Sequence, residues 1–548
     1  MKSRRPSVIR PERQTLPAPA AVPPVRSRSL LPRYAAALCL CVLAMFIVSL
    51  IIRLPWYGKP LLTSGIGWPT AGAVKYADYW YNEGPARLRF AMLENPPSVE
   101  TPNWLSRNPY VSYPPGTIIP IYLVSLFAGH EADVRMVDGI NLAGHLLIAL
   151  CLALLVFVLL SDLRLTLPAA FIFSLIPALL LLLLPGPLGE YALSYFSDQA
   201  VSLPIALFLL LEILQWRACS TSAKLGLDAA QCLVIFSGAL TDWYFFFVLA
   251  VALAVRCYRG MFGPWQQWVT ALSGMLAYCA PALLALALFL TQLVHWHLVD
   301  RFLFAGLRRM ALYAGDPFLQ QTQDLPHIFW RGYMRIAFGA PAVASLWGVL
   351  AIMVLALLLA LGLRWRRRAM DPRLDLLLCV ALLTVLPPFL HTYCFRQHAV
   401  RHAFAALKYT TPMALAPLVL LPVGFLLVAR WRTGREDWLA RPALALSMLM
   451  CLLCGSYLAV VTPPGYRRLD AQVRAAVSPP LQDALLTFRR QYGYNDILFS
   501  YHFSIPENPP MLLAISHKRV YRIAEPSDIA SYTHSLRQPY HVVVLDQP

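Results

Sequence analysis

Charged residues are scarce in this chain of 548: Asp, Glu, Lys and Arg make up 14%, where ordinary soluble domains carry about 25%. Acids are the scarcer sign, 28 against 46 Lys/Arg, which leaves a formal charge of +18. No glycine-rich phosphate loop follows a strand-like run, so the nucleotide-binding motifs built on one are excluded. No repeat of solenoid or propeller length is evident. The eleven cysteines lie mostly inside apolar runs (Cys39, Cys41, Cys151, Cys232, Cys279, Cys379, Cys451, Cys454) without ligand spacing. They argue against a zinc site and against a disulfide framework.

What is abundant is apolar sequence. Hydrophobic residues make up 58% and the mean hydropathy is +0.57, which requires lipid around much of the chain. The expected fold is an all-α polytopic membrane protein of about eleven transmembrane helices, each long enough to cross a hydrocarbon core of about 30 Å. The runs fall at 34–52, 136–160, 166–184, 198–216, 229–256, 268–294, 339–363, 375–390, 411–430 and 441–461. Residues 1–33, with eight Lys/Arg and one acid, read as a disordered basic cytoplasmic tail. Residues 34–462 would form the membrane domain. Residues 463–548, with strand-like runs at 496–500, 519–523 and 541–545 and helical stretches near 469–491 and 527–536, read as a small α/β domain outside the membrane.

Two segments set the parity. Residues 114–129 are short and open on Pro-Pro-Gly; residues 229–256 are too long for one span and hold Thr241-Asp242 at their centre. Basic loops stay cytoplasmic, and the strongest are Arg364, Arg366, Arg367, Arg368 with Arg373, then Arg430, Arg432, Arg435 and Arg441. Both lie inside with the tail if 114–129 is a juxtamembrane helix on the outer face and 229–256 is a pair of short helices turning at Thr241-Asp242. The amino terminus is then in, the carboxy terminus out, and 55–134, 295–338 and 463–548 are outside. The chain is expected in a bacterial inner membrane, with these outer segments on the periplasmic face. Cytoplasmic segments then hold 22 Lys/Arg against seven acids, so the basic balance is a topology signal and not one for nucleic acid.

An outer loop of this length after the first helix exceeds what a connection requires. It carries Asp78, Glu83, Glu94 and Glu100 among Trp68, Tyr76, Tyr79, Trp80, Tyr81 and Trp104; interfacial anchoring accounts for most of the aromatics. Asp198 stands at the outer end of a membrane helix, where an unpaired carboxylate is costly; it is either functional or an N-cap. Asp242 is either functional or the partner of a Lys or Arg. His295, His297 and Asp300 alternate along a helix and point apart, which weighs against a metal site. His391, Tyr393, Arg396, His398, Arg401, His402 and Lys408 form a basic outer cluster suited to phosphate or to the interface.

The order of motifs resembles the GT-C superfamily of polytopic glycosyltransferases, in the branch of protein O-mannosyltransferases and aminoarabinose transferase. The residues that carry the resemblance are Tyr113-Pro114-Pro115-Gly116 closing the first outer loop, Gly129-His130-Glu131 with Arg135 opening the next helix, Tyr195-Phe196-Ser197-Asp198-Gln199, Gly238 to Trp243, and Lys408-Tyr409 before Pro412. It spans roughly residues 34–430. One departure stands out: the early loop acid of relatives falls in register on Pro69-Thr70, which can do no acid-base chemistry.

The resemblance implies an inverting transfer of a sugar from a polyprenyl-phosphate donor to an acceptor hydroxyl on a protein, lipid or glycan of the cell envelope. Such chemistry needs a carboxylate to take a proton and positive charge for the departing phosphate. The candidate acids are Asp78, Glu94 and Asp198. The candidate phosphate-binding residues are Arg135, Arg301, Arg308, Arg309, Arg331 and Lys408, with Tyr113, Asp242, His391 and Tyr409 lining the cavity. A divalent metal, Mg or Mn, could serve in place of Arg, whose fork suits phosphate oxygens. Two other classes fit the composition: a transporter or flippase for lipid-linked glycans, which would place ionisable groups at midplane, and an assembly protein that binds through 463–548.

Overall fold

The computed structural model describes residues 30–59, 67–93, 109–217, 220–260, 265–313, 315, 319–366, 371–433 and 440–476, and beyond them 487, 491, 497–500, 519–522, 525–527, 529–530 and 542–544. The chain begins with α1 (Leu31–Arg53), α2 (Gly67–Glu83), a two-residue antiparallel pairing of β1 (Met92–Leu93) with β2 (Pro109–Tyr110), and α3 (Ile118–Ala128). There follow α4 (Val134–Asp162), α5 (Leu167–Leu183), α6 (Pro185–Leu193), α7 (Ser197–Ala200), α8 (Ser202–Arg217), α9 (Thr221–Thr241), α10 (Tyr244–Gly260), α11 (Trp265–His295) and α12 (Val299–Arg309). The rest comprises α13 (Met334–Phe338), α14 (Ala340–Trp365), α15 (Pro372–Cys394), α16 (Arg396–Arg401), α17 (Thr410–Leu415), α18 (Leu421–Thr433) and α19 (Ala440–Ala476).

Among the described residues, nine helices are long and apolar enough to cross a membrane, and α5 with α6, bent by 55° at Leu184, makes a tenth. At 17 residues α10 is shorter than these, apolar from Tyr244 to Val255 and carrying Arg256 and Arg259 in its last turns; counted with them it gives the eleven crossings expected from the sequence. Their outward faces carry exposed Leu, Ile, Val and Phe, such as Leu40, Ile51, Leu355, Leu358 and Leu452, as a multi-pass membrane protein requires.

Residues 114–129 form a short helix, as expected, led by a single 3-10 turn at Pro115–Thr117. The run 229–256 breaks where its two polar residues stand. α9 is nonetheless a full-length helix, because Ser220 caps it by accepting from the Ala223 amide at 3.2 Å, nine residues before the apolar run begins. The last helix also runs further than hydropathy suggested: α19 continues through Pro463-Pro464 to Ala476, so a domain boundary at 463 falls inside it. Beyond it β3 (Ile497–Ser500) pairs in parallel with β4 (Arg519–Arg522) and β5 (Val542–Val544) in the order β4-β3-β5, on the three strand-like runs.

The main core packs α4, α5, α8, α10 and α15 around Leu152, Phe157, Phe173, Phe208 and Phe245, all at most 1% exposed. Short connections between α8 and α9, α14 and α15, and α18 and α19 bring Arg217, Arg364 and Arg430 to one end of the bundle. The breaks at 194–201, 242–243, 296–340 and 394–410 gather at the other.

Candidate functional site

Three motifs converge at that second end. Gly116, last of the Pro-Pro-Gly, lies against α9: a Cβ there would run into the Leu240 carbonyl, and would stand 2.9 Å from the Thr241 amide. A bare backbone is therefore needed for the loop to dock on the α9–α10 break. At the break itself, Gly238 lets the Phe245 ring cross over α9. Asp242 is extended (φ −154, ψ 144), and its Oδ1 accepts from the Tyr244 amide at 2.7 Å. It thus satisfies an orphan donor at the start of α10. Trp243 donates from Nε1 to the Ser112 carbonyl at 2.9 Å, which ties the break to the loop a second time.

Asp198 sits in the first turn of α7 and is fully buried. The cap position belongs to Phe196, which makes no side-chain cap bond, so the N-cap alternative for Asp198 does not hold. Its carboxylate faces Lys408 instead: Nζ lies 2.6 Å from Asp198 Oδ1 and 3.0 Å from Asp242 Oδ2. Lys408 is itself 3% exposed. It is delivered by a 3-10 segment, Ala403–Tyr409, whose Lys408 carbonyl accepts from the Tyr244 hydroxyl at 3.2 Å. One buried ammonium thus serves two buried carboxylates, Asp198 and Asp242, which stand 210 and 166 residues before it in sequence, and the trio carries one negative charge in excess when all three are ionised.

Around it lies a ring of aromatic and imidazole groups. His398 Nε2 is 3.7 Å from Asp198 Oδ1 and 3.2 Å from the Tyr113 hydroxyl. Burial pulls the His398 imidazole below its ordinary value, against the opposing pull of Asp198, and burial also pushes the Tyr113 phenol well above its usual range. His402, in ring contact with His398 at 4.9 Å, is lowered by burial to about 3. His391 packs against Tyr244 and Phe247, both at 5.5 Å. Arg309, the last residue of α12, lies 4.6 Å over the Tyr113 ring and donates to the Ser112 carbonyl at 2.6 Å.

Several buried polar atoms in these same segments have no hydrogen-bond partner among the described residues: both amide atoms of Gln199, Nε2 of Gln397, Nδ1 of His398 and Oγ1 of Thr410. Buried polar groups are normally satisfied, so their concentration beside Asp198 and Lys408 marks a place where a polar ligand or water completes the bonding.

The other sequence candidates are spread more widely. Asp78 is buried on α2, one turn after buried Lys75. α2 packs on α3 and α4, and its Thr70 hydroxyl accepts from the Tyr195 amide at 2.9 Å. The register position at which the early acid is missing therefore touches the turn that leads into Asp198. Glu94 lies outside the described residues. Arg135 is exposed in the first turn of α4, where its carbonyl accepts from the Tyr57 hydroxyl at 3.0 Å; it stands with the turn after α1. Arg301 is exposed and Arg308 half-buried on α12. Arg331 is exposed on the π-helical segment Pro326–Tyr333. The Tyr409 hydroxyl lies 3.0 Å from both the Pro388 carbonyl and the Thr392 hydroxyl, within an aromatic cluster of Phe329, Trp330 and Phe389.

A divalent metal does not fit the trio. Both carboxylates direct an oxygen at Lys408, and among the described residues no three His, Cys, Asp or Glu side chains converge as a cage would require. Gln199, Gln397 and Thr410 were not legible as site residues, because uncharged polar side chains in short helices give no periodic or charge signal.

No protein-family model and no curated protein matches the chain. Among solved structures it is similar to the Archaeoglobus fulgidus oligosaccharyltransferase in the apo form, at 14% identity and TM-score 0.49 over 89% of this chain and 65% of that one. It is also similar to ArnT from Cupriavidus metallidurans bound to undecaprenyl phosphate, at 11% identity and TM-score 0.47 over 90% of this chain and 87% of that one. The chain spans a little under two thirds of the archaeal enzyme's length.

Proposed function

We propose that this chain is a membrane glycosyltransferase that moves a sugar from a polyprenyl-phosphate donor to an acceptor hydroxyl at the Asp198 end of the bundle, the outer face in the positive-inside orientation. The observation that carries the reading is the convergence of Asp198, Asp242 and Lys408, from three of the motifs that resemble GT-C enzymes, into one buried trio. A buried carboxylate excess has a cost, and acid-base chemistry is a reason to keep it.

In this reading the acceptor oxygen attacks the anomeric carbon, and the bond from that carbon to the phosphate oxygen breaks with its electron pair leaving on the phosphate. The hydroxyl proton passes to a carboxylate. Asp198 is the assigned acid, with Asp78 as the alternative. Lys408 holds Asp198 and Asp242 in place and so acts as a positioning residue. Arg309 faces the departing phosphate: Ser112 takes one of its N–H groups, and a guanidinium has five. Gln199, Gln397 and Thr410 are suited to sugar or acceptor hydroxyls. The site needs no metal in this scheme.

The test is a comparison of envelope lipids, glycans and proteins by mass spectrometry with and without the gene. A sugar-sized increment should vanish on deletion and return with the wild-type chain, but not with Asp198→Asn or Arg309→Gln expressed at the same level. Restoration by both variants would end the assignment.

A further inference from the structure

At the opposite end of the bundle a groove of about 240 Å³ lies between α14, α15 and α18. Its walls run from Val349 to Leu363 on α14, from Leu374 to Ala381 on α15, and from Leu420 to Trp431 along the π-helical turn and α18, and every lining residue is apolar. It is open on the lipid side, for its lining residues Ile352, Leu359, Phe425 and Trp431 are 42 to 62% exposed. A buried dry core would not leave such residues uncovered, and a water-filled cleft would not be wholly apolar.

Length and charge identify what covers it. At 1.5 Å per residue the α14 wall is about 21 Å long and the α18 wall about 16 Å, close to the ~15 Å of a single leaflet's hydrocarbon. Trp431 lines the groove at the end where α18 reaches Arg430 and where the exposed Trp365 closes α14, the position of an interfacial aromatic. The same end carries Arg364, Arg366, Arg373 and Arg430 against Asp371 and Asp375. Asp375 is already held by Arg364 through both oxygens at 2.8 Å, and Asp371 caps the Arg373 amide at 2.8 Å. With these four Arg against two Asp the collar is cationic on balance, while the groove beneath it is hydrocarbon.

We propose that this groove binds one anionic glycerophospholipid of the leaflet at the Arg364 end, with an acyl chain between α14, α15 and α18 and the phosphate at the collar beside Arg366 and Arg373. The site is separate from the Asp198 trio, whose Lys408 lies at the other end of the segment that becomes α18, and it does not depend on the transferase reading.

The probe is dioleoyl phosphatidylglycerol, titrated against dioleoyl phosphatidylcholine into the purified full chain in detergent and read by native mass spectrometry. One phosphatidylglycerol should bind in preference to phosphatidylcholine. Gly424→Phe should abolish that first binding event: a Cβ at 424 meets Leu377 Cδ2 at an ordinary 3.5 Å, so the backbone accepts a side chain there and the ring fills the groove. Arg366→Gln, which touches no packing in the core, should keep a bound lipid but reduce the preference for the anionic headgroup about fivefold. The proposal is overturned if the wild type shows no preference, or if the first binding event survives Gly424→Phe and the preference survives Arg366→Gln.

Discussion

Asp198 and Glu212 stand near opposite ends of the same membrane span, Ser197–Arg217, and both are buried to within 1%, yet their partners differ in kind. Glu212 meets one cation, Arg256, whose Nη2 lies 3.1 Å from each carboxylate oxygen. Tyr278 adds a further contact, its hydroxyl donating to Glu212 and its ring lying 4.1 Å beneath the guanidinium, and Gln215 accepts from Arg256 at 3.2 Å. Charge is balanced one to one, in the two-oxygen contact that holds an ion pair rigidly. Asp198 shares a single lysine with a second carboxylate and faces an imidazole. The first arrangement is what pins three helices together; the second leaves negative charge for something the chain does not itself supply. Burial of an acid in the membrane is thus not by itself the mark of a site. The surplus of acid over cation is.

That contrast can be broken by substitution. Asp198→Asn should lower sugar transfer by at least about 100-fold, the contribution of a positioned general base. Its stability should change little, because Lys408 then pairs one to one with Asp242. Glu212→Gln should do the reverse. It leaves Arg256 without its counter-charge and should cost about 3–5 kcal/mol of stability, seen as a lower midpoint in detergent melting, with transfer per folded molecule unchanged. The double change Glu212→Leu with Arg256→Met should recover most of that loss. If Glu212→Gln abolished transfer without destabilising the chain, the two clusters would have to exchange roles.

Smaller effects sharpen the picture at the rim. Tyr113→Phe removes the hydroxyl that faces His398, a loss of about 1 kcal/mol and so about fivefold in transfer rate, with the Arg309 stacking retained. A second effect at the rim is on the pH dependence of stability. His402 is held down to about 3 by burial, whereas its unfolded value is about 6.5. Below 6.5 the unfolded chain takes up a proton that the folded chain refuses, so stability is complete above that pH and declines as pH falls from 6.5 towards 3. His402→Phe should flatten that slope in melting curves recorded between pH 7 and 5, and an unchanged slope would remove His402 from the account.

Much of the architecture was legible in the sequence because membrane helices announce themselves by composition. The break at Asp242 showed as a polar pair within an apolar run, and the juxtamembrane helix as an apolar stretch too short to cross. Asp198, Asp242 and Lys408 each stood out as a charge at the edge of hydrocarbon. That the three meet could not be seen, since it depends on how α7, the α9–α10 break and the 403–409 segment pack, and no local period encodes that. The lengths of α9 and α19 were missed for a related reason: a serine cap and a long polar helical extension carry no hydropathy signal, so the last helix was expected to end with its apolar run at 461. The basic candidates fared unevenly for the same cause, with Arg309 brought to Tyr113 and Arg135 to the turn after α1, though each reads as an arginine at a helix end.

The central claim is that Asp198 is a working acid and Glu212 a structural one. Its most direct test uses the purified full chain in bilayer nanodiscs, with a radiolabelled polyprenyl-phosphate sugar and a cell-envelope extract as acceptor source, comparing wild type, Asp198→Asn and Glu212→Gln at equal amounts of folded protein. The account predicts label in the acceptor fraction for wild type and Glu212→Gln and none above background for Asp198→Asn. Equal transfer by wild type and Asp198→Asn would contradict it.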